Sequence, residues 1–125
     1  MPALHGGLRP RDATVRFHNI YGPLGTYDGG REKSPAAICR KVAMARPGDA
    51  IEVWGDGEQT RSYCYIDDCV EGIYRLMRSD YREPLNIGRD DLVSVNGLVD
   101  LVASIAGKRL GSGTMYRNRR GAGAE

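Results

Sequence analysis

Several residue types are scarce in this 125-residue chain, and each scarcity excludes a class of protein. The sequence has three cysteines, one tryptophan and one phenylalanine. Because three is an odd count and no secretory signal pattern is present, a disulfide-rich secreted domain is not indicated, and we expect free thiols in the reducing cytoplasm. No apolar run approaches the roughly 20 residues of a membrane span, so we expect no membrane association.

An excess of charge of either sign is also absent. The net charge is +2 and 27% of the residues are charged, which is too balanced to indicate a nucleic-acid partner. The spacing of Cys64 and Cys69 matches no common zinc motif, so we expect no metal. With 41% hydrophobic residues, the composition is that of one small globular domain or of a piece of a larger one.

Familiar nucleotide-binding motifs are missing as well. No tyrosine is followed four positions later by lysine, and no P-loop signature occurs. The glycines from Gly22 to Gly30 have the spacing G-x2-G-x3-G-G, and four residues separate them from Pro35. A dinucleotide turn needs its last glycine at the helix start, where phosphate rests on the N-terminus. We therefore expect a loop that carries Lys33 to a substrate, or else a flexible connection with a solvated lysine.

Hydrophobic periodicity predicts alternating strands and helices, hence an α/β or α+β fold. The second and third strands are close enough to predict a hairpin. The helices are predicted to start at Ser34, at Asp67 or Asp68, and at Ser94, and Gly107 to end the last one. The predicted strands are 14–21, 50–55, 60–66, 83–88 and 92–95, and the predicted helices are 35–45, 69–79 and 95–108.

Helical spacing also predicts which side chains are buried. We expect Cys39 and Cys64 to be buried packing residues as well. The apolar helix residues predicted to face a core are Ile38, Val42 and Ala45, then Val70, Ile73, Tyr74, Leu76 and Met77, then Leu98, Leu101, Val102 and Ile105.

Several polar residues can each be interpreted in two ways. Arg61 can bind a diphosphate because its planar guanidinium contacts two oxygens at once, or it can be an exposed arginine of a β-turn. Asn19 can contact a ligand or form a turn. Asp67 and Asp68 are better explained as a helix cap than as an acid–base pair. We expect His18 to be structural because no nucleophile is placed for a triad.

Three stretches carry a resemblance to a known family. They are RFHNIYGPLGTYDGGREKSPAAICRK, WGDGEQTRSYCYIDDCVEGIYRLMRSDYREPLNIG and LVSVNGLVDLVASIAGK. The patterns R-x-x-N-x-Y-G-P and G-D-G-x-Q-x-R-x4-(I/V)-D-D mark the NAD-dependent epimerases/dehydratases of the extended short-chain dehydrogenase/reductase superfamily. The segment GGREK followed by PAA is more specific, and it resembles the C-terminal half of the GDP-mannose 3,5-epimerase family. The resemblance covers residues 14–109.

The resemblance implies an incomplete Rossmann-type α/β fold, with the late sheet strands and a small mixed substrate-binding lobe. We expect residues 1–13 to be an unstructured leader, residues 14–109 to be the substrate-binding part, and residues 110–125 to be a flexible tail. The first strand would join a parallel sheet that lacks most of its neighbours. An edge and an apolar face should therefore be exposed, and the chain alone should be marginally stable.

The resemblance also implies a reaction. In the family, GDP-mannose is oxidised at C4 with NAD, a proton is exchanged at C3 or C5, and re-reduction gives GDP-L-galactose or GDP-L-gulose. Lys33 matches the lysine that returns the proton, whereas no cysteine of this chain stands in the context of the proton-abstracting cysteine. The residues that match the family's substrate contacts are Asn19, Glu32, Lys33, Ser34 (usually alanine in the family), Lys41, Gln59, Thr60 and Arg61.

The cofactor and the partners follow from the same resemblance. NAD is implied, but its glycine fingerprint and the Tyr-x3-Lys pair are not in this sequence, so cofactor-binding residues stay unassigned. The implied partners are a GDP-sugar and either a separate Rossmann half or a second copy of the chain. Two alternatives to an active epimerase are a catalytically inactive fragment that binds nucleotide-sugar and an inert, truncated gene remnant.

Overall fold

The computed structural model describes residues 12–111 and 115–117, which form a mixed α/β fold as predicted. The helices in these residues are α1 (Ser34–Met44), α2 (Ile66–Met77) and α3 (Val95–Ile105). The strands are β1 (Val15–Phe17), β2 (Asn19–Tyr21), β3 (Glu52–Trp54), β4 (Thr60–Arg61), β5 (Tyr63–Tyr65), β6 (Leu85–Ile87), β7 (Val93–Ser94) and β8 (Met115–Arg117). None of the helices described has the length and apolar character needed to cross a membrane.

The first predicted strand is divided into β1 and β2. β1 pairs in parallel with β6, and β2 pairs in parallel with β5. His18 lies between them, and its backbone N–H donates to the carbonyl of Ile87 at 3.0 Å. Because α2 connects β5 to β6, this part is a parallel βαβ unit of the Rossmann type. The predicted parallel pairing of the first strand is confirmed.

The predicted hairpin between residues 50–55 and 60–66 is wrong. β3 pairs in parallel with β8, and β4 pairs antiparallel with β7, opposing Thr60 to Ser94. Residues 60–66 also change partner at Ser62, because β5 belongs with β2. Alternation along a strand specifies its buried face but not its neighbour, so the sequence pattern could not choose between these pairings.

Part of the predicted flexible tail has regular structure. Met115–Arg117 form β8 against β3, so the expectation differs from the structure at these three residues. Earlier in the tail, the Gly111 N–H donates to the carbonyl of Asp49 at 3.0 Å. The other tail residues, 112–114 and 118–125, lie outside the described residues, as does most of the predicted leader, residues 1–11.

The predicted helix caps are partly confirmed. The Ser94 hydroxyl accepts a hydrogen bond from the Gly97 N–H at 3.0 Å and caps α3, as predicted. The cap predicted at Ser34 is wrong, because Lys33 is the N-cap of α1 and makes no side-chain cap. The cap predicted at Asp67 or Asp68 is wrong too. Tyr65 takes that position, and both aspartates lie in the first turn, where the helix dipole favours negative charge.

The main core lies between α1, α3 and β3. The prediction of Ile38, Val42 and Leu98 as buried is confirmed. The ammonium group of Lys108 donates hydrogen bonds of 2.7–2.9 Å to three carbonyls at the C-terminal end of α1. This contact ties the segment that follows α3 to the C-terminal end of α1. The buried residues of this core are Ile38, Val42, Ile51, Val53, Leu98, Val99 and Ala103.

A smaller core lies under α2 and contains Cys64, Cys69 and Ile87. The buried face of α2 is narrower than predicted. Leu76 is buried as predicted, but Val70, Tyr74 and Met77 are exposed at 55%, 53% and 77%. Within the described residues α2 packs mainly on the short strands β2, β5 and β6, and the side chains of Val70, Tyr74 and Met77 remain exposed.

Three further burial predictions are wrong. On α3, Leu101 and Ile105 are exposed, and Val99 and Ala103 face the core instead. On α1, Cys39 is exposed, whereas Cys64 is buried as predicted. The helical positions next to the true core face carry apolar residues as well, so spacing alone assigned the faces with an error of about one position.

Candidate functional site

An open cleft of about 560 Å³ lies between the end of β1, the start of β2 and the N-terminus of α1. Both polar and apolar groups line it, which suits a sugar with its hydroxyls and its carbon faces. Two of the residues predicted to bind substrate, Asn19 and Lys33, are part of the lining. The full set is Phe17, His18, Asn19, Ile20, Lys33 and Ser62.

The floor of the cleft is held by hydrogen bonds to Ser62. Asn19, at the start of β2, donates its side-chain amide N–H to the Ser62 carbonyl at 3.0 Å. His18 Nδ1 lies 3.2 Å from the Ser62 hydroxyl oxygen. These contacts follow from the parallel pairing of β2 with β5, which opposes Asn19 to Tyr63. The asparagine amide is therefore fixed in orientation before any ligand arrives.

The loop of residues 22–33 leads to the cleft and contributes one lining residue, Lys33. Its backbone has positive φ at Leu24, Gly29 and Gly30, with φ angles of 66°, 92° and 82°. Glycine adopts such angles without strain, so Gly29 and Gly30 let the chain reverse before α1 begins. Lys33 ends this loop. Its ammonium group makes no hydrogen bond or ion pair with any residue of the described part of the chain.

Glu32 points away from solvent and towards α1. Its side chain is 14% exposed, and its Oε1 lies 3.8 Å from the Arg40 guanidinium. The same guanidinium lies 4.0 Å from the Asp28 carboxylate. Glu32 is thus held beside the cleft, and it is not among the cleft-lining residues.

The predicted diphosphate contacts lie on the turn from β3 to β4. Gln59 donates its side-chain N–H to the Trp54 carbonyl at 2.7 Å, so its amide closes the turn. Thr60 and Arg61 form β4 and are exposed, and the Arg61 guanidinium contacts only the Thr60 carbonyl, at 2.8 Å, within the described residues. Arg61 directly precedes Ser62, but neither Thr60 nor Arg61 is among the residues that line the cleft.

Two other predicted substrate contacts lie elsewhere. The Lys41 ammonium donates to the Glu52 carbonyl at 2.7 Å, and this bond holds α1 against β3. Ser34 is exposed at the first position of α1. The structure therefore brings Asn19 and Lys33 together in one cleft and places Lys41 outside the lining residues.

The buried thiols are poor candidates for chemistry. Burial, with smaller contributions from Cys69 and Asp68, raises the pKa of the Cys64 thiol. A raised pKa keeps the thiol neutral, and the neutral form is neither a base nor a strong nucleophile.

In residues 12–111 and 115–117, no three His, Cys, Asp or Glu side chains gather into a group that could hold a metal ion.

Sequence reasoning missed four cleft residues, Phe17, His18, Ile20 and Ser62, and it gave Arg40 no role. His18 and Ser62 are brought together across 44 residues by strand pairing, which no local pattern reports. A signal for Arg40 was present, because a helical arginine leans towards the N-terminus and so towards the acidic loop that precedes α1.

A model of the NAD dependent epimerase/dehydratase family matches residues 11–88. The chain belongs to this family. NAD is therefore the cofactor of its family. Among its relatives, the epimerase/dehydratase chain is 58% identical to GDP-mannose 3,5-epimerase of Arabidopsis thaliana over 95 residues, which are 76% of this chain and 25% of that protein. It is 38% identical over 91 residues to UDP-glucuronic acid decarboxylase 6 of Arabidopsis thaliana, covering 73% of this chain and 25% of that one.

Solved structures of epimerases share the fold. UDP-glucose 4-epimerase of Thermotoga maritima, solved with UDP-glucose, superposes with a TM-score of 0.70 at 30% identity, over 86% of this chain and 33% of that one. The Rossmann-type α/β fold predicted from the sequence is confirmed. The epimerase/dehydratase chain spans about a quarter of the length of the curated relatives it matches.

The start of α1 does not fit the pyrophosphate of NAD. Lys33 is the N-cap of α1, and Pro35 in the first turn has no N–H to donate. The nearest glycine with a positive φ before the helix is Gly30, three residues before Lys33. A phosphate site at a helix N-terminus needs free N–H groups and a close backbone approach. No step through NAD is therefore assigned to the described residues.

Proposed function

We propose that this chain is the sugar-nucleotide-binding part of an epimerase that acts on a GDP-sugar, with GDP-mannose as the substrate and C3 and C5 as the reacting carbons. Asn19 and Lys33 would contact the sugar, and Arg61, with Thr60, would contact the diphosphate. The family membership and the 58% identity to GDP-mannose 3,5-epimerase support the substrate class.

The observation that carries the proposal is the meeting of Asn19 and Lys33 in one open cleft. They are separated by a loop, yet both side chains line the same space. An asparagine amide fixed by Ser62 can orient a sugar hydroxyl, and an ammonium with no partner among residues 12–111 and 115–117 can donate a proton. Lys33 would return the proton to the sugar carbon next to the C4 ketone.

Calorimetric titration of the full chain tests this function. GDP-mannose is expected to bind, GDP more weakly, and free mannose not measurably. Replacing Arg61 by alanine should weaken GDP-mannose binding about tenfold, because a hydrogen bond to a charged group contributes about 1.5 kcal/mol. Arg75→Ala is the matched control, since Arg75 is exposed and pairs only with Glu71 among the described residues. Equal affinities of Arg61→Ala and the unmodified chain would refute the diphosphate contact.

A binding-only chain is a second candidate, favoured by the absence of a dinucleotide cradle at α1. Incubation with NAD and GDP-mannose, followed by chromatography of the sugar nucleotides, separates the two. We expect binding without new isomers from the chain alone. GDP-L-galactose or GDP-L-gulose in the product would show a complete enzyme, whereas no binding at all would favour an inert remnant.

A further inference from the structure

We propose that Arg40 is a positioning residue that withholds the Glu32 carboxylate from Lys33, so that the lysine ammonium remains free to face the cleft. This deepens the proposed function and rests on it, because Lys33 is the group being positioned.

The geometry explains how Arg40 reaches the loop. It lies six residues after Ser34, which is about 9 Å along the helix axis at 1.5 Å per residue. Side chains of a helix lean towards its N-terminus, so the guanidinium extends back along α1. There it meets Glu32 at 3.8 Å and Asp28 at 4.0 Å. One cation therefore contacts two acidic residues of the loop.

Arg40 is the long-range polar contact of this loop among the described residues. Hydrogen bonds within the loop are local, such as Gly29 N–H to the Asp28 carboxylate at 2.8 Å and Gly25 N–H to the Gly22 carbonyl at 3.4 Å. The two ion pairs thus join the loop to α1.

The ion pair with Arg40 also orients the Glu32 carboxylate. Both Glu32 Oε2 and Arg40 Nε are buried without a hydrogen-bond partner in the described part of the chain, so the carboxylate is partly desolvated and needs a cation. Without Arg40, the helix dipole would draw the carboxylate towards the start of α1, where Lys33 is the N-cap. Glu32 and Lys33 would then pair, and the ammonium would no longer be free.

Chemical labelling of lysine tests the inference on the full chain without any sugar. An amine-reactive acetylating reagent modifies the neutral amine, and peptide mass spectrometry gives the rate at Lys33, with Lys41 as the internal reference. In Arg40→Met, labelling of Lys33 should be about threefold slower, the size expected of a weak ion pair that stabilises the ammonium. The double variant Arg40→Met/Glu32→Gln should restore the original rate, because no carboxylate is left to pair.

The controls distinguish positioning of Lys33 by Arg40 from a general loosening of the loop. Arg75→Met breaks an exposed ion pair with Glu71 on α2 and should leave the Lys33 rate unchanged. An unchanged or faster rate in Arg40→Met, or a slower rate that Glu32→Gln does not restore, would overturn the proposal. Circular dichroism checks that each variant is folded.

If Arg40→Met does not fold, the single variant Glu32→Gln tests the role of Arg40. Because Arg40 already withholds the carboxylate, the Lys33 rate should stay as in the unmodified chain, and a threefold rise would overturn the proposal. Failure to bind GDP-mannose would refute the proposed function without changing these labelling rates, so failure of the function and failure of the positioning by Arg40 are distinguishable.

Discussion

Replacing Gly57 by alanine should destabilise the turn that precedes the diphosphate-binding candidates. Gly57 is buried and has a φ of 75°, which costs an L-residue about 1–2 kcal/mol. An added Cβ would also overlap the Asn96 side chain, ending 2.7 Å from its amide nitrogen. That nitrogen donates to the Asp56 carbonyl at 3.2 Å and to the Glu58 carboxylate at 2.7 Å. Displacing Asn96 loses two hydrogen bonds, or about 2 kcal/mol.

The total loss for Gly57→Ala is therefore about 3–4 kcal/mol in the free energy of unfolding. Gly107→Ala is the matched control, because Gly107 has a φ of 62° with nothing within 4 Å of an added Cβ, so only the backbone strain applies. Its cost should be about 1–2 kcal/mol. Urea unfolding followed by circular dichroism measures both variants against the unmodified chain.

A double-mutant cycle isolates the overlap. Asn96→Ala alone should cost about 2 kcal/mol, and adding Gly57→Ala to it should cost only the backbone strain, giving a coupling of about 2 kcal/mol. Equal losses for Gly57→Ala and Gly107→Ala, or strict additivity of Gly57→Ala with Asn96→Ala, would refute the overlap with Asn96.

Three further outcomes are expected. In the folded chain a thiol reagent should modify the exposed Cys39 quickly and the buried Cys64 slowly. Because the pKa of the Cys64 thiol is raised on folding, its contribution to stability is complete below about pH 8.5 and declines above that pH. In Cys64→Ala, the free energy of unfolding should therefore fall less between neutral and alkaline pH than it does in the unmodified chain. Lys108→Met should lower the free energy of unfolding by about 2–3 kcal/mol, because three hydrogen bonds to the end of α1 are lost. A change under about 0.5 kcal/mol, the size expected of a neutral surface substitution, would show that these hydrogen bonds do not stabilise the fold. Val70→Gln with Met77→Gln should reduce aggregation in light scattering without lowering the melting temperature, because both side chains are exposed; a lower melting temperature would show that they are packed.

Local sequence signals predicted the features that local chemistry controls. The cap of α3 at Ser94 was correct because a serine hydroxyl can reach the N–H three residues ahead. Gly107 directly follows the C-cap of α3 with a positive φ, which is the position that favours glycine. The cap at Ser34 failed because the helix begins at Ser34 itself, with Lys33 as the cap and Pro35 in the first turn, where a missing N–H breaks no helical hydrogen bond.

Structural features that depend on contacts between distant residues could not be predicted from the sequence. The periodicity of residues 60–66 is that of a strand, yet it contains no information about β7 and β2 as partners. The burial of α2 was overestimated for the same reason, since Tyr74 and Met77 have apolar side chains whether or not an element covers them. Lys41 matched a substrate-contact position, and its observed bond to the Glu52 carbonyl arises from packing of α1 on β3.

The sequence by itself determined the family, the α/β class and both ends of α3. These depend on motifs and on interactions within a few residues. The tertiary structure decided which polar residues meet. Parallel pairing of β2 with β5 places Asn19 beside Ser62, and Arg40 engages Glu32 while Lys33 faces the cleft. These contacts join residues far apart in the chain or across a loop and a helix, so only the packed fold fixes them.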